Sequence, residues 1–279
     1  MAIYKDFNIQ PENSLVSGDV VTNVKDTVSS GMWADGDGSM TTFFTSSTQS
    51  SSNHQYYLDV YASNPQTDAT AKSQFSVAFG HFEGSGSVGT KGVDGNRASA
   101  AIYRQLSNTL LGPNEEKFSF ADSGGDHTTP SYIYAISIAR QQLREKMDPG
   151  NWELHLSGSG TSTLKLIDDS GATTNPTVNQ GGRVFNIVSG SISGGTATTK
   201  TPATSQDGGG FGLFYPDMGL MVFNGPVLAA QTSASLSASV ASNTEGGNVG
   251  KFYQAIRGED KFQTETLLFQ LSLKIQSLL

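Results

Sequence analysis

The chain has 279 residues, of which 15% are charged, with 32 Gly, no Cys and a formal net charge of -8. Charged residues fall well short of the roughly 25% of ordinary domains and Gly exceeds its usual share of about 7%, so Ser, Thr, Asn and Gln make the surface polar but weakly charged. The lack of cysteine excludes disulfides, thiolate metal sites and thiol nucleophiles, and the acidic balance argues against non-specific nucleic-acid binding, which needs a basic face.

The opening MAIYKDFNIQ has no apolar core of an export signal, so secretion is not expected. No run of about 20 apolar residues is present, so no transmembrane helix is expected. Residues 1–55 are the least regular part. Val20, Val21 and Val24 hint at one short strand, and Trp33, Phe43 and Phe44 follow without a clear period.

From Tyr56 the pattern becomes that of strands. YYLDVYA (Tyr56 to Ala62) is one, and QFSVAFGHF (Gln74 to Phe82) puts Phe75, Val77 and Phe79 on one face. RASAAIYRQLSNTLL (Arg97 to Leu111) predicts the one clear helix, with Ala98, Ile102, Leu106 and Leu110 on a stripe. Asp94 or Asn96 is placed to cap its start, and Gly112 with Pro113 ends it.

Further strands are expected at Tyr132 to Ala139, at Asn151 to Ser157, in TLKLIDDSG and at Arg183 to Ile192. RQQLREKMDPGN reads as a short polar turn or helix. In NWELHLS, Trp152, Leu154 and Leu156 alternate and should face a core. FGLFYPDMGLMVFNG (Phe211 to Gly225) predicts a hairpin turning at Pro216, Asp217 and Gly219. GGTATTKTPATSQDGGG reads as a low-complexity mobile loop, AAQTSASLSASVASNTEGGN fits neither helix nor strand, and LLFQLSLKI (Leu267 to Ile275) alternates as a strand.

Few residues suggest chemistry. GSGSVG (Gly84 to Gly89) matches the dinucleotide fingerprint formally, but KGVDGNR separates it from the helix that would have to face a pyrophosphate. A loop is the better reading. Asp35 and Asp37 in ADGDGSM lack the glycine and the distal glutamate of a calcium loop, which leaves turn formation. His54, His81, His127 and His155 have no metal-ligand spacing. His155 shares a strand face with Glu153, a pair expected to be solvated. Asp168 and Asp169 are adjacent, so in a strand they point to opposite faces and share no site. No nucleophile elbow is present. No catalytic residue, cofactor or metal is expected.

FTSSTQSSS with YYLDVY, QFSVAFGHFEGSGSVG, AIYRQL, LLGP, KFSF, YIYAISIARQQLREKMDPGNWELHL and FGLFYPDMGLMVFN together resemble a family of virion structural proteins. The family belongs to contractile-tailed bacteriophages, notably those of cyanobacteria. The most specific block is REKMDPGNWELHL (Arg144 to Leu156), and the resemblance spans roughly residues 40–260. Family members continue with further β-rich sequence past the point matching Lys251–Arg257, where this chain runs into LLFQLSLKI. The resemblance transfers no catalytic motif.

The expected fold is mainly β, an antiparallel sandwich-like domain with one helix and long Gly/Ser-rich loops. Residues 1–55 are expected as an irregular arm, 56–230 as the main domain and 231–279 as a segment ending in a strand. The expected function is assembly in a tail or baseplate, with phage structural proteins or further copies of this chain as partners and neither nucleic acid nor membrane. Trp33, Phe43 and Phe44 are the expected assembly contacts, because large rings in an irregular segment need an apolar partner. Two rivals remain. A carbohydrate-binding adhesin would need Trp33 or Trp152 exposed beside Asp or Asn, and a cell-wall or polysaccharide hydrolase would need an acidic cleft.

Overall fold

The computed structural model describes residues 20–27, 32–33, 39–46, 57–86, 97–121, 127–143, 146–157, 163–171, 176–192, 210–232, 247–258, 262–264 and 268–275. In chain order the first strands are β1 (Val20–Thr27), β2 (Ser39–Met40), β3 (Phe44–Thr45), β4 (Tyr57–Tyr61) and β5 (Ser73–His81). Helix α1 (Ala98–Leu110) follows, then β6 (Phe120–Ala121), β7 (His127–Thr128), β8 (Tyr132–Ile138), β9 (Trp152–Ser157) and β10 (Thr163–Asp168). The remainder is β11 (Thr177–Asn179), β12 (Gly182–Ser189), β13 (Gly212–Tyr215), β14 (Leu220–Asn224), α2 (Gly225–Gln231), α3 (Gly247–Arg257), β15 (Phe262–Thr264) and β16 (Leu268–Ile275). The protein is mainly β, as its alternating patterns predict.

The strands form one large antiparallel sheet in the order β2-β15-β9-β10-β12-β13-β14-β8-β5-β4-β3, with β11 paired to β12. Its two edges are β2 and β3, which only residues 41–43 separate in the chain. Four peptide steps reach at most about 14 Å, so the edges must approach and the sheet must curl. Helix α3 confirms the curl, because it packs on β9 and also on β4 and β5 from the far side of the strand order. The mainly antiparallel β architecture thus takes the form of one sheet rolled on itself, and a sandwich is not distinguished among the described strands. Short β2 and β3 suffice there, since rolling up removes long open edges.

Alternation along the strands supplies the concave core. Phe75, Val77 and Phe79 of β5, Tyr134, Ile136 and Ile138 of β8, and Trp152, Leu154 and Leu156 of β9 are all buried in it. The expectation for Trp152, Leu154 and Leu156 holds, each being 0% exposed. Phe252 of α3 lies against Tyr134 and Phe223 at ring-centre distances of 5.0 and 5.5 Å, with Val249, Ala255 and Ile256 buried beside it. Val249, Phe252 and Ile256 recur at helical spacing, a signal that a strand-only reading of the C-terminal segment passes over.

The convex face carries a second core of Tyr103, Leu110, Phe118, Phe120, Ile133, Val184, Tyr215 and Val222 under α1. The buried stripe of α1 is Ser99, Ala100, Tyr103, Ser107 and Leu110, one position round from the expected Ala98, Ile102 and Leu106. Gly80 explains the rotation. A Cβ there would lie 3.1 Å from the Tyr103 backbone, so α1 sits almost on the backbone of β5 at Tyr103. Hydrophobicity counting misses such a face because Ser99 and Ser107 do not score as apolar. The helix has Arg97 as N-cap without a side-chain bond; Asp94 and Asn96 lie outside the described residues. The expected hairpin forms as β13 and β14, with Gly219 at φ 63 in its turn. RQQLREKMDPGN resolves on its described residues to turns, not to a helix.

Three helices are described where one was expected. The expected boundaries also need correction. β2 and β3 from the supposed arm close the main sheet, and α3 and β15 from the supposed C-terminal segment belong to it too. Among the described residues no helix is long and apolar enough to cross a membrane.

Candidate functional site

The residues expected at assembly contacts divide. Trp33 and Phe43 are 3% and 4% exposed and lie against Phe75 at ring-centre distances of 5.9 and 6.3 Å. Their apolar partner is this chain's own sheet, which corrects the expectation that they seek a neighbouring subunit. Phe44 is half-buried in β3 and keeps some free surface.

Two polar constellations stand out. The first is on the convex face of β9 and β10. Because Trp152 and Leu154 face the core, Glu153 and His155 face the other way. Both are nonetheless buried, so the expected solvated pair is a covered one. His155 Nε2 is hydrogen-bonded to Glu153 Oε1, and Lys165 Nζ on the neighbouring strand lies 3.7 Å from the same oxygen. The backbone N–H of Ile192 donates to Glu153 Oε2 at 2.8 Å. Burial pushes the Glu153 carboxyl up, but the bonds from His155 and Ile192 and the charges of His155 and Lys165 outweigh it and hold it below its usual range. A carboxylate oriented on an imidazole is half of a hydrolase relay. Among the described residues no hydroxyl bonds to His155, so here Glu153 acts as a tie holding the 190–192 segment onto the sheet.

The remaining buried carboxylates are ties as well. Asp168 accepts from the N–H of Gly150 at 2.8 Å and of Ser170 at 3.0 Å, and desolvation raises its pKa despite those bonds. Asp169 accepts from the backbone and side-chain nitrogens of Asn186 at 2.9 and 2.7 Å. The adjacent carboxylates serve different partners, although Asp169 lies just past the end of β10 and its charge adds to the rise at Asp168. Arg183 Nη2 donates to Asp217 Oδ1 at 2.8 Å, which clamps the start of β12 to the β13–β14 turn. Ser119 Oγ and His127 Nδ1 are 3.0 Å apart on the exposed β6–β7 hairpin.

The Gly-rich motif also has a structural use. Gly84 and Gly86 have φ of 83 and 75, and a Cβ on Gly84 would lie 2.7 Å from Arg97 Cβ. Ser99 Oγ and Asn248 Nδ2 donate to the carbonyls of Ser85 and Gly86 at 3.0 and 3.2 Å. The turn is thus pinned between α1 and α3. Gly89 and Asp94 of that stretch, and Asp35 and Asp37, lie outside the described residues. Among the described residues no three His, Asp or Glu side chains gather as a metal site.

The second constellation is a polar cleft of about 420 Å³ between the 62–72 connection and the turn after β8. Trp33, Asp68, Thr70, Lys72, Gln141 and Gln142 line it. It brings an aromatic residue beside an Asp, as an adhesin would need, although Trp33 is only 3% exposed; fully buried Trp152 cannot serve. Sequence spacing could not reveal this cleft, since its walls come from three separate stretches.

Comparison with protein-family models, with curated proteins and with solved structures returns no match for this chain.

Proposed function

We propose that this chain is a non-enzymatic structural component of a phage virion, in the tail or baseplate, acting through protein–protein contacts. The observation that carries the reading is the ribbon of β1 and β16. These strands pair with each other over eight positions and not with the rolled sheet. Their register pairs Val20 with Ile275, Thr22 with Leu273, Val24 with Leu271 and Asp26 with Phe269. A two-stranded ribbon is marginal in water and gains stability when an apolar face is covered or an edge is extended by another strand. Such an element suits docking into an assembly.

The sequence blocks resembling phage virion proteins support the same reading. So does the use of the buried Asp168, Asp169 and Glu153 as loop ties. The partners are other phage structural proteins and further copies of the chain; cofactors, nucleic acid and membranes have no part in the proposal.

Quantitative mass spectrometry of purified particles tests it. The chain should be present at a fixed copy number, and a variant lacking residues 1–27 and 268–279 should fold yet be left out. Absence of the full chain from particles, or clearing of peptidoglycan or polysaccharide gels by the purified protein, would refute the proposal.

A further inference from the structure

We propose that the cleft beside Trp33 binds a neutral, hydroxyl-rich ligand, a single saccharide ring. This goes beyond the assembly role and does not depend on it.

The cleft is preformed. The 62–72 connection is fixed by its own hydrogen bonds, with the N–H of Asp68 donating to Asn64 O at 2.9 Å and Thr70 N–H and Oγ1 to Asp68 Oδ1 at 2.8 and 2.6 Å. Gln141 Nε2 donates to Ser73 O at 2.8 Å, which binds the opposite wall to the first. Gln74 Nε2 donates to Lys72 O at 2.7 Å and fixes the backbone that carries Lys72. Beneath them Trp33 is immobilised against Phe75. A ligand would therefore meet little ordering cost, the usual condition for a small-molecule site. The volume lies within the roughly 300–1,000 Å³ of such sites.

The lining selects the ligand class. Asp68 offers a carboxylate, and its bonds from Thr70 hold it below the usual range, so it is ionised at neutral pH. Lys72 offers an ammonium of opposite sign. One charge of each sign disfavours both an anion and a cation. An apolar ligand would leave these groups and two amides without their water, which is costly. Asp68 and the amide oxygens accept, Lys72 and the amide nitrogens donate, and the Thr70 hydroxyl, whose hydrogen goes to Asp68, still accepts. A ring whose hydroxyls both donate and accept fits that mixture. The small exposed part of Trp33 adds an apolar contact for the ring's C–H groups.

The test uses the full chain with glucose, galactose, mannose and N-acetylglucosamine as probes. Saturation-transfer NMR reports contact, and tryptophan fluorescence reports location, because Trp152 is fully buried and Trp33 lines the cleft. At least one sugar should bind saturably, and Lys72→Ala and Gln142→Ala should each weaken it by roughly tenfold. Both variants lie at the surface of the cleft and should melt like the parent. If Gln142→Ala fails to fold, Lys72→Ala decides alone. No saturation transfer from any of the four sugars at tens of millimolar overturns the proposal, as does binding that both variants retain. Particle incorporation is measured separately, so failure here leaves the assembly role standing.

Discussion

The hydroxyl of Tyr253 on α3 donates a 2.9 Å hydrogen bond to the carbonyl of Phe43, in the three-residue link between the two sheet edges. One bond thus joins a late helix to an early segment at the seam of the rolled sheet. Thr42 Oγ1 secures the same link by donating to Ala62 O at 2.6 Å.

Deletion of residues 1–50 should therefore unfold the protein. It removes Trp33, Met40 and Phe43 from the core together with both edge strands. Losing one large buried ring costs about 3–5 kcal/mol, and two such losses rival the roughly 5–15 kcal/mol that stabilises a domain. Tyr253→Phe removes only the seam bond and should cost about 1 kcal/mol. Thermal melting checks both; a truncated chain that still melts cooperatively near the full-length temperature contradicts the seam.

Trp152→Ala should cost about 3–5 kcal/mol. The ring packs edge-on against Phe214 at 5.3 Å and is fully buried. Its Nε1 has no hydrogen-bond partner among the described residues, so Trp152→Phe loses volume but also relieves an unsatisfied donor. Urea denaturation should place Trp152→Phe well above Trp152→Ala. Equal stabilities would show that the nitrogen is satisfied and matters as much as the ring.

Gly80→Val should push α1 off the sheet. Even the first added carbon meets the Tyr103 backbone at 3.1 Å, and backbone cannot step aside like a side-chain tip. Overpacking of this kind costs about 1–3 kcal/mol. Hydrogen exchange should rise through Ala98–Leu110 while β9 and β10 stay protected. Unchanged exchange in the helix would mean that the contact is looser than the geometry states.

Glu153 sets a pH dependence. Its carboxyl is held below the usual range in the fold, so the folded state resists its protonation more than the unfolded chain does. The stabilisation is complete above the ordinary carboxylate range and is lost as pH falls through the depressed value. Melting temperature should drop on acidification in the parent and more shallowly in Glu153→Gln. At neutral pH, Glu153→Ala should cost about 3 kcal/mol by leaving His155 and the Ile192 N–H without an acceptor. Parallel acid profiles for parent and Glu153→Gln would exclude this role.

Local pattern alone located the longer strands, among them β4, β5, β8, β9, β10 and β12, and which faces of β5 and β9 turn to a core, because side-chain direction in a strand follows from local geometry; the short β2, β3, β6, β7, β11 and β15 carried no such signal. Turn chemistry did the same for the β13–β14 hairpin, where Pro216 and Gly219 set the local backbone. Only the tertiary structure decided the rest. Whether Glu153 and His155 are wet or covered depends on the 190–192 segment, far away in the chain. Whether Trp33 and Phe43 dock outward or inward depends on the sheet edges meeting at residues 41–43. The face that α1 buries depends on Gly80, whose missing side chain lets the Tyr103 backbone close on β5, whereas apolar counting assigns the contact to Ala98, Ile102 and Leu106. Each outcome rests on a contact between distant segments, and no local pattern encodes which distant segment arrives.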